Sequence, residues 1–340
     1  MDPTVRLVTS RDVAAAAGVS RSTVSRVLSG VAADRISAET QARVLRLATE
    51  MGYTPHAAAR QLRLRRANTL GLILPPMSQR FPGTHAFAQF LNSITEVSDK
   101  AGYSLLVSPA SSPERTVQMF RNRQIDGVLI THPRELDACL DELLRNGAPV
   151  VLMNQPMNGR EVNWVDFDNV GATRAAVQHL IERDHRRIGC ITSEPGFMVA
   201  ALRLRGYREA LERNGLQVRS EFVVSARGPL LASQGAEAMK QLLAFPEPPT
   251  AVMCYRDQLA FGALRAIEEA GLRVPGDIAV VGFDDDPASA YQHPPLTTVR
   301  ADFRATGRAA ASMLIDLIEG RGSRGSNVLL PTELIVRQSS

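Results

Sequence analysis

At 340 residues the chain exceeds what one small helical domain needs, and two or three domains are expected. The formal net charge is only +4, yet residues 1–66 hold eleven arginines, no lysine and five acids, a local +6 that leaves −2 for the rest. Positive charge gathered at one end points to a polyanion bound through that end, and the lack of any apolar run of membrane-spanning length argues against a membrane partner.

In chain order, Thr9 with Asp12 three residues on reads as a helix N-cap and first-turn acid, followed by an alanine-rich helix that Gly18 ends. Ser20 then caps a second helix. Within it Val24, Val27 and Leu28 share a face spaced to pack on the first helix, and Arg21, Ser22, Ser25 and Arg26 share the outer one. Two short helices joined by a glycine-bearing turn form the helix-turn-helix signature, whose second helix reads base edges in the major groove of duplex DNA. Arginine addresses guanine O6 and N7 in bidentate fashion, which suits Arg21 and Arg26 to base readout. The competing reading, an amphipathic hairpin with a merely solvated polar face, fits an isolated segment better than one set in a +6 region.

Ser37 caps a third helix in which Val44, Leu47, Ala48 and Met51 recur at helical spacing and Gly52 is placed to end it, so three helices close a small core. After Tyr53-Thr54-Pro55 comes PHAAARQLRLRR (55–66), a basic helix-forming stretch with no core of its own and marginal in isolation. The ordered set DVAAAAGVSRSTVSRVLSG, ISxETxxRV, GYxP and AAARQL resembles the headpiece and hinge of the lactose-repressor (LacI/GalR) family. The resemblance implies that Arg21, Ser22 and Arg26 read bases. It also implies a hinge helix, ordered on the operator, whose Leu62, with Ala59 on the same surface, wedges into the minor groove and kinks the duplex. His56 departs from the asparagine that the family shows after the proline, which puts a hinge contact to phosphate in doubt. VAADR before Ile36 lengthens the loop between the second and third helices.

From Asn68 onward, apolar runs at 70–74, 104–107, 126–130, 149–153, 188–192, 250–254 and 278–283 alternate with amphipathic segments, the pattern of buried parallel strands with crossover helices. The expected fold class is therefore α/β, with an N-terminal all-α helix-turn-helix headpiece and two doubly wound α/β lobes around a ligand cleft. The resemblance makes these lobes of periplasmic-binding-protein type. The expected division is a headpiece over 1–54, a hinge over 55–67 and an effector-binding and dimerisation region over 68–340. Lobe one takes about 68–165 and 295–326, and lobe two about 166–294 and 327–340, so that PPLTTVR (294–300) crosses back to lobe one and TELIVRQSS (332–340) finishes in lobe two.

Open α/β sheets bind ligands beyond the carboxyl ends of their strands. The candidates are Ser78 and Gln79, Thr131 and His132, Asn154 and Gln155, Glu194 to Phe197, Arg256, Asp257 and Asp284. The resemblance adds Arg203, in ALRLRGY, as an effector contact, assigns Asp284, in VGFDD, to accept hydrogen bonds from sugar hydroxyls or base nitrogens, and matches Asn154 to the polar residue after the fourth strand. Asp168 and Asp257, each ahead of a predicted helix, are read first as helix caps. Arg256 stands where the family shows asparagine. It either draws an anionic effector or pairs with Asp284 or Asp285. Leu230 stands at or near the place where many relatives put an aromatic ring for sugar stacking, with Trp164 and Phe197 as other candidate platforms.

An enzyme is not expected. Gly320, Gly322 and Gly325 match GxGxxG but follow a predicted helix and precede a strand, the reverse of a dinucleotide site. Asp284-Asp285-Asp286 offers too few oxygen ligands for Mg²⁺, so neither metal nor cofactor is expected. Cys139, Cys190 and Cys254 lack CxxC spacing and read as reduced thiols of a cytoplasmic protein, and MDPTVRLVTSRD lacks the apolar core of a signal peptide. The sequence thus points to a homodimeric transcription regulator, expected to be a repressor, on a near-palindromic double-stranded DNA operator under control of a sugar-type effector. A purine or sugar-acid corepressor is the alternative, with a sugar-binding protein or enzyme on the same fold a distant third.

Overall fold

The computed structural model describes residues 8–29, 35–53, 66–74, 85–109, 113–131, 137–154, 156–157, 161–228 and 230–340, and the chain divides into two compact units, Met1–Ala67 and Asn68–Ser340.

The first unit holds helices α1 (Ser10–Ala17), α2 (Arg21–Ser29) and α3 (Ala38–Glu50). Local chemistry sets their ends. The Thr9 N–H and hydroxyl both donate to Asp12 Oδ2, at 2.9 and 2.7 Å. Gly18, at φ +63, turns the chain so that the Val19 N–H returns to the Ala14 carbonyl at 3.0 Å. Ser20 Oγ accepts from the Thr23 N–H at 3.1 Å and Ser37 Oγ from the Thr40 N–H at 3.3 Å, each satisfying a helix-start donor. Val13, Val24 and Val44 are fully buried, ringed by Ala14, Ala17, Val27 and Ala48. Among the described residues no buried side chain of this core is larger than valine, so each contributes a large share of a small total.

The second unit is built on two six-stranded sheets. Sheet one contains β1 (Thr69–Leu74), β2 (Ser104–Pro109), β3 (Gly127–Thr131), β4 (Val150–Met153), β5 (Asn163–Phe167) and β11 (Asn327–Leu330), in the order β11-β5-β4-β3-β1-β2, all parallel. Sheet two contains β6 (Ile188–Ser193), β7 (Val223–Ala226), β8 (Ala251–Cys254), β9 (Ala279–Asp284), β10 (Thr297–Ala301) and β12 (Thr332–Ile335), in the order β12-β10-β9-β8-β6-β7. Only β12 runs antiparallel to its neighbour. Helices α4 (His85–Lys100), α5 (Pro113–Arg121), α6 (Asp137–Arg145) and α11 (Phe303–Glu319) belong with sheet one. Helices α7 (Asn169–Ile181), α8 (Met198–Arg213), α9 (Ala232–Leu243) and α10 (Asp257–Glu269) belong with sheet two. Helices on both faces explain why strands such as β3 and β4 are buried along their whole length and read as unbroken apolar runs.

The expected division errs at two strands. Thr297–Ala301 is assigned by sequence to lobe one but pairs in parallel with β9, Thr297 opposite Val281, in sheet two. Asn327–Leu330 is assigned to lobe two but pairs in parallel with β5, Asn327 opposite Trp164, in sheet one. Both are short strands whose sheet is chosen by a partner far away in sequence, and nothing local marks which edge they join. The chain accordingly crosses between lobes after β5 at Asp168, after β10 at Asp302 and between β11 and β12 at Pro331. The Phe167 and Phe303 rings, beside the first two crossings, meet edge to face at 5.4 Å. The glycine cluster forms a loop, with Gly320 closing α11 at φ +75. In both sheets the strand order reverses between neighbours, at β3/β1 and at β8/β6, which directs the ligand site to the carboxyl ends of those strands.

Candidate DNA interface and effector cleft

On α2, Val24 and Val27 face the core while Arg21, Ser22, Ser25 and Arg26 are all exposed. Ser22 Oγ lies 2.6 Å from Ser20 Oγ at the helix start. This leaves a continuous polar and basic face on the helix that follows the glycine turn, the layout that a groove-reading helix requires. Thr9 is exposed at the start of α1 with its hydroxyl turned to Asp12. His56, Ala59 and Leu62, the hinge candidates, lie outside the described residues, as do Ser78, Gln79, His132 and Gln155 of the cleft set.

The second unit carries a cavity of about 250 Å³ between the start of α4, at His85 and Gln89, and the carboxyl ends of lobe-two strands, at Arg256, Asp284 and Asp286. Its chemistry centres on a buried carboxylate between two arginines. Asp284 Oδ2 is 3.5 Å from Arg256 Nε, and Asp284 Oδ1 is 3.9 Å from the Arg203 guanidinium. Arg203 donates through Nε to Asn169 Oδ1 at 2.9 Å and through a terminal nitrogen to the Tyr255 carbonyl. Its guanidinium also lies 3.4 Å from the centre of the Phe283 ring. Burial pushes the Asp284 carboxyl above its ordinary range, against the pull of both arginines. Of the two readings of Arg256, pairing is the one observed, and with Asp284. Asp285 is instead held by Arg337 at 2.6 Å and Arg300 at 2.7 Å, and these bonds outweigh burial and lower its pKa.

Asp257 departs from the capping assignment. It is 1% exposed, and its two oxygens accept from the Thr298 hydroxyl at 2.5 Å, the Ser289 hydroxyl at 2.7 Å and the Asp286 N–H at 2.7 Å. It therefore staples the turn after β9, where Asp284 and Asp285 sit at φ +116 and +53, conformations that are costly for a residue with a side chain. Burial first, then the Asp284 charge, push its carboxyl up to about 8. Asp168, by contrast, does cap α7, its Oδ1 accepting from the Gly171 N–H at 2.8 Å.

Two candidate platforms move out of the cleft. Leu230, at φ +55, turns its side chain into the lobe-two core with Phe222, Ala226 and Leu259, where it is 2% exposed. Trp164 packs on the cluster of Ile73, Leu140 and Leu152, three residues short of the carboxyl end of β5. Phe197 stays half-buried at the start of α8. Asn154 stands at the end of β4 with φ +57 and is 9% exposed. Sequence reasoning passed over Asp166 and Asn169, which the fold joins to Arg203: Asn169 Nδ2 donates to Asp166 Oδ1 at 3.1 Å. The VDFDN string holds both residues, but only its second aspartate, Asp168, stands where a helix cap is expected.

Residues 9–56 match the bacterial regulatory proteins of the lacI family, and residues 177–340 match the periplasmic binding protein-like domain. The HTH-type transcriptional repressor CytR of Escherichia coli strain K12 is 35% identical over 337 residues, 98% of this chain and 96% of CytR. The chain belongs to the LacI family. The HTH-type transcriptional regulator CelR of Thermobifida fusca is 34% identical over 332 residues, 96% of each protein. Among solved structures, the lac repressor dimer bound to operator and the anti-inducer ONPF shares 31% identity at a TM-score of 0.85, over 98% of this chain and 99% of that one. A LacI-family chain of this kind is a DNA-binding transcription regulator and not an enzyme. No helix among the described residues is long and apolar enough to cross a membrane.

Proposed function

We propose that this LacI-family regulator is a cytoplasmic homodimeric repressor whose two headpieces each read half of a near-palindromic operator and whose grip is set by a small uncharged sugar-type effector in the cleft. The supporting observation is a cavity of about 250 Å³ lined by the buried Asp284 and Arg256, with Arg203 reaching Asp284 from behind, since burying charged groups at an opening is costly and a ligand that uses them offsets that cost. Within this reading residues 1–54 bind DNA, with Arg21, Ser22, Ser25 and Arg26 at bases and Thr9 at the backbone. Residues 55–67 serve as the hinge, with Leu62 and Ala59 toward the minor groove and His56 also contacting the DNA. Arg203, Arg256, Asp284, Asn154 and Phe197 hold the effector, with Ser78 and Gln79 contributed from lobe one.

The relatives fit this picture in their own terms, one being a dimer on operator with an anti-inducer and another a CelR complex with cellobiose. Motion at the crossings Asp168, Asp302 and Pro331 changes the cleft. An effector that prefers one lobe arrangement shifts operator affinity by its differential affinity for the two arrangements, and the operator shifts effector affinity by the same factor. The test is fluorescence anisotropy on labelled duplexes selected by the protein from a random pool, with and without sugars. Selection of a two-fold symmetric site and release by a neutral sugar are expected. Enrichment of no sequence would overturn the proposal.

A further inference from the structure

The turn after β9 is joined to all three crossings between the lobes. Asp284 reaches Arg203 at 3.9 Å, and Arg203 donates to Asn169 Oδ1 at 2.9 Å, beside the crossing at Asp168. Asp285 reaches the other two. Its Oδ2 accepts from Arg300 Nε at 2.7 Å, just before the crossing at Asp302, and Arg300 Nη1 donates on to Glu333 Oε2 at 3.2 Å, just after the crossing at Pro331. Its Oδ1 accepts from Arg337 Nη2 at 2.6 Å, while Arg337 also donates through Nη1 to the Leu296 carbonyl at 2.7 Å and through its backbone N–H to the Thr297 hydroxyl at 2.9 Å. These ion pairs are not what shapes the turn, because Asp257 already ties the Asp286 N–H to the Ser289 and Thr298 hydroxyls within lobe two. The Asp285 pairs run outward from that staple, to the strands by which the chain leaves and re-enters lobe two. At 12% and 18% exposure, the Asp285 and Arg337 side chains escape most of the solvent screening that weakens surface pairs.

We propose that Asp285, held between Arg300 and Arg337, is a positioning residue that carries occupancy of Asp284 to the lobe crossings and so couples the cleft to the operator. The inference rests on the effector reading of the cleft and names the element that regulates it. A ligand in contact with Asp284 shifts operator affinity only if the lobes respond to it, and a turn free to adjust locally would absorb the change. The clamp removes that freedom. Asp285 follows Asp284 directly, and both are held in costly positive-φ backbone, at φ +116 and +53. The turn and the ends of β10 and β12 therefore move as one body. The same link runs in reverse: operator binding, by fixing the lobe arrangement, must be felt at the turn even when no ligand is present.

The reverse direction allows a test in which operator DNA is the only ligand. Full-length wild type and Arg337→Gln, a change outside the residues that line the cavity, are compared by hydrogen–deuterium exchange with and without saturating operator, well below the unfolding temperature. In wild type the operator should change exchange in 283–289 as well as in 299–303 and 330–334. In the variant the change at 283–289 should shrink by about 2- to 30-fold, the range over which residues along a coupled network alter coupling. A purely structural role would speed exchange of the turn in both states and leave the operator-induced difference as it was, and that result overturns the inference. Should Arg337→Gln not fold, Glu333→Gln, on an exposed side chain, replaces it with the same two outcomes. Arg273→Gln breaks an exposed pair with Asp277, 3.0 Å long, at the opposite end of β9 and should leave the difference intact; a loss there as large as in Arg337→Gln also overturns the inference. No operator-induced change anywhere in 68–340 of the wild type sinks the reading of a cleft coupled to DNA, whereas a change at the crossings that never reaches 283–289 sinks only the clamp.

Discussion

Asp257→Asn gives the sharpest physical test of how the cleft is built. A carboxyl whose folded pKa lies above its unfolded value stabilises the fold at low pH, and that contribution is lost as the pH climbs from the unfolded to the folded value. For Asp257 the window runs from 3.8 to about 8. Within it the folded state holds one more proton than the unfolded chain, worth about 1.4 kcal/mol per pH unit, or about 3 kcal/mol between pH 5 and 7. Asparagine is neutral throughout and keeps one acceptor for Thr298, but its NH₂ confronts the Asp286 N–H, an unmet donor costing about 1–3 kcal/mol at every pH. The variant should therefore unfold below wild type at pH 5, and the gap should shrink or invert by pH 8. At about 2–4 °C per kcal/mol, the difference in unfolding temperature should move by about 6–12 °C between pH 5 and 7, read by scanning calorimetry at matched ionic strength. Burial also pushes the Asp166 carboxyl up to about 6, but that slope is common to both proteins and cancels. Parallel curves across this range would refute the account of Asp257 as a buried, proton-holding staple of the Asp284 turn.

Other changes probe the remaining parts. Arg26→Ala should cost about 1–3 kcal/mol on the selected operator and relax base preference at one position, whereas Arg66→Ala should weaken all duplexes alike and lower the salt slope by about one; equal losses on specific and random DNA for Arg26→Ala would exclude base readout. Val44→Ala, at a fully buried site in a core whose described buried residues are none larger than valine, should lower headpiece stability by about 2 kcal/mol, seen as a loss of helical circular dichroism at lower temperature. Gly262→Ala would drive a methyl into the Ala232 carbonyl where α9 meets α10, and a cost of at least about 1–3 kcal/mol in lobe-two stability is expected by calorimetry.

Much of this was legible in the sequence because it is local chemistry. Thr9, Gly18, Ser20 and Ser37 act within one helical turn, so the headpiece helices could be placed from residue types alone. The buried strands declared themselves as apolar runs. What was not legible depends on partners distant in the chain. β10 and β11 exchange lobes because Val281 and Trp164 pair with them across gaps that no pattern spans. Asp257 looks like a cap because it begins a helix; its real partners, Ser289 and Thr298, come from the turn and strand after β9, and Gly282 leaves room for its carboxylate. Leu230 sits at the expected place along the chain, and only its positive φ reveals that its side chain points inward.

If the cleft controls the DNA face, effector and operator must shift each other's binding, which reciprocal titration on the intact protein measures. Operator affinity is measured by anisotropy with and without saturating neutral ligand, and ligand affinity by calorimetry with and without saturating operator. Both affinities should change by the same factor, and Asp284→Asn should abolish the ligand effect while operator binding persists. A ligand that saturates the cleft and leaves operator affinity unchanged would contradict that control.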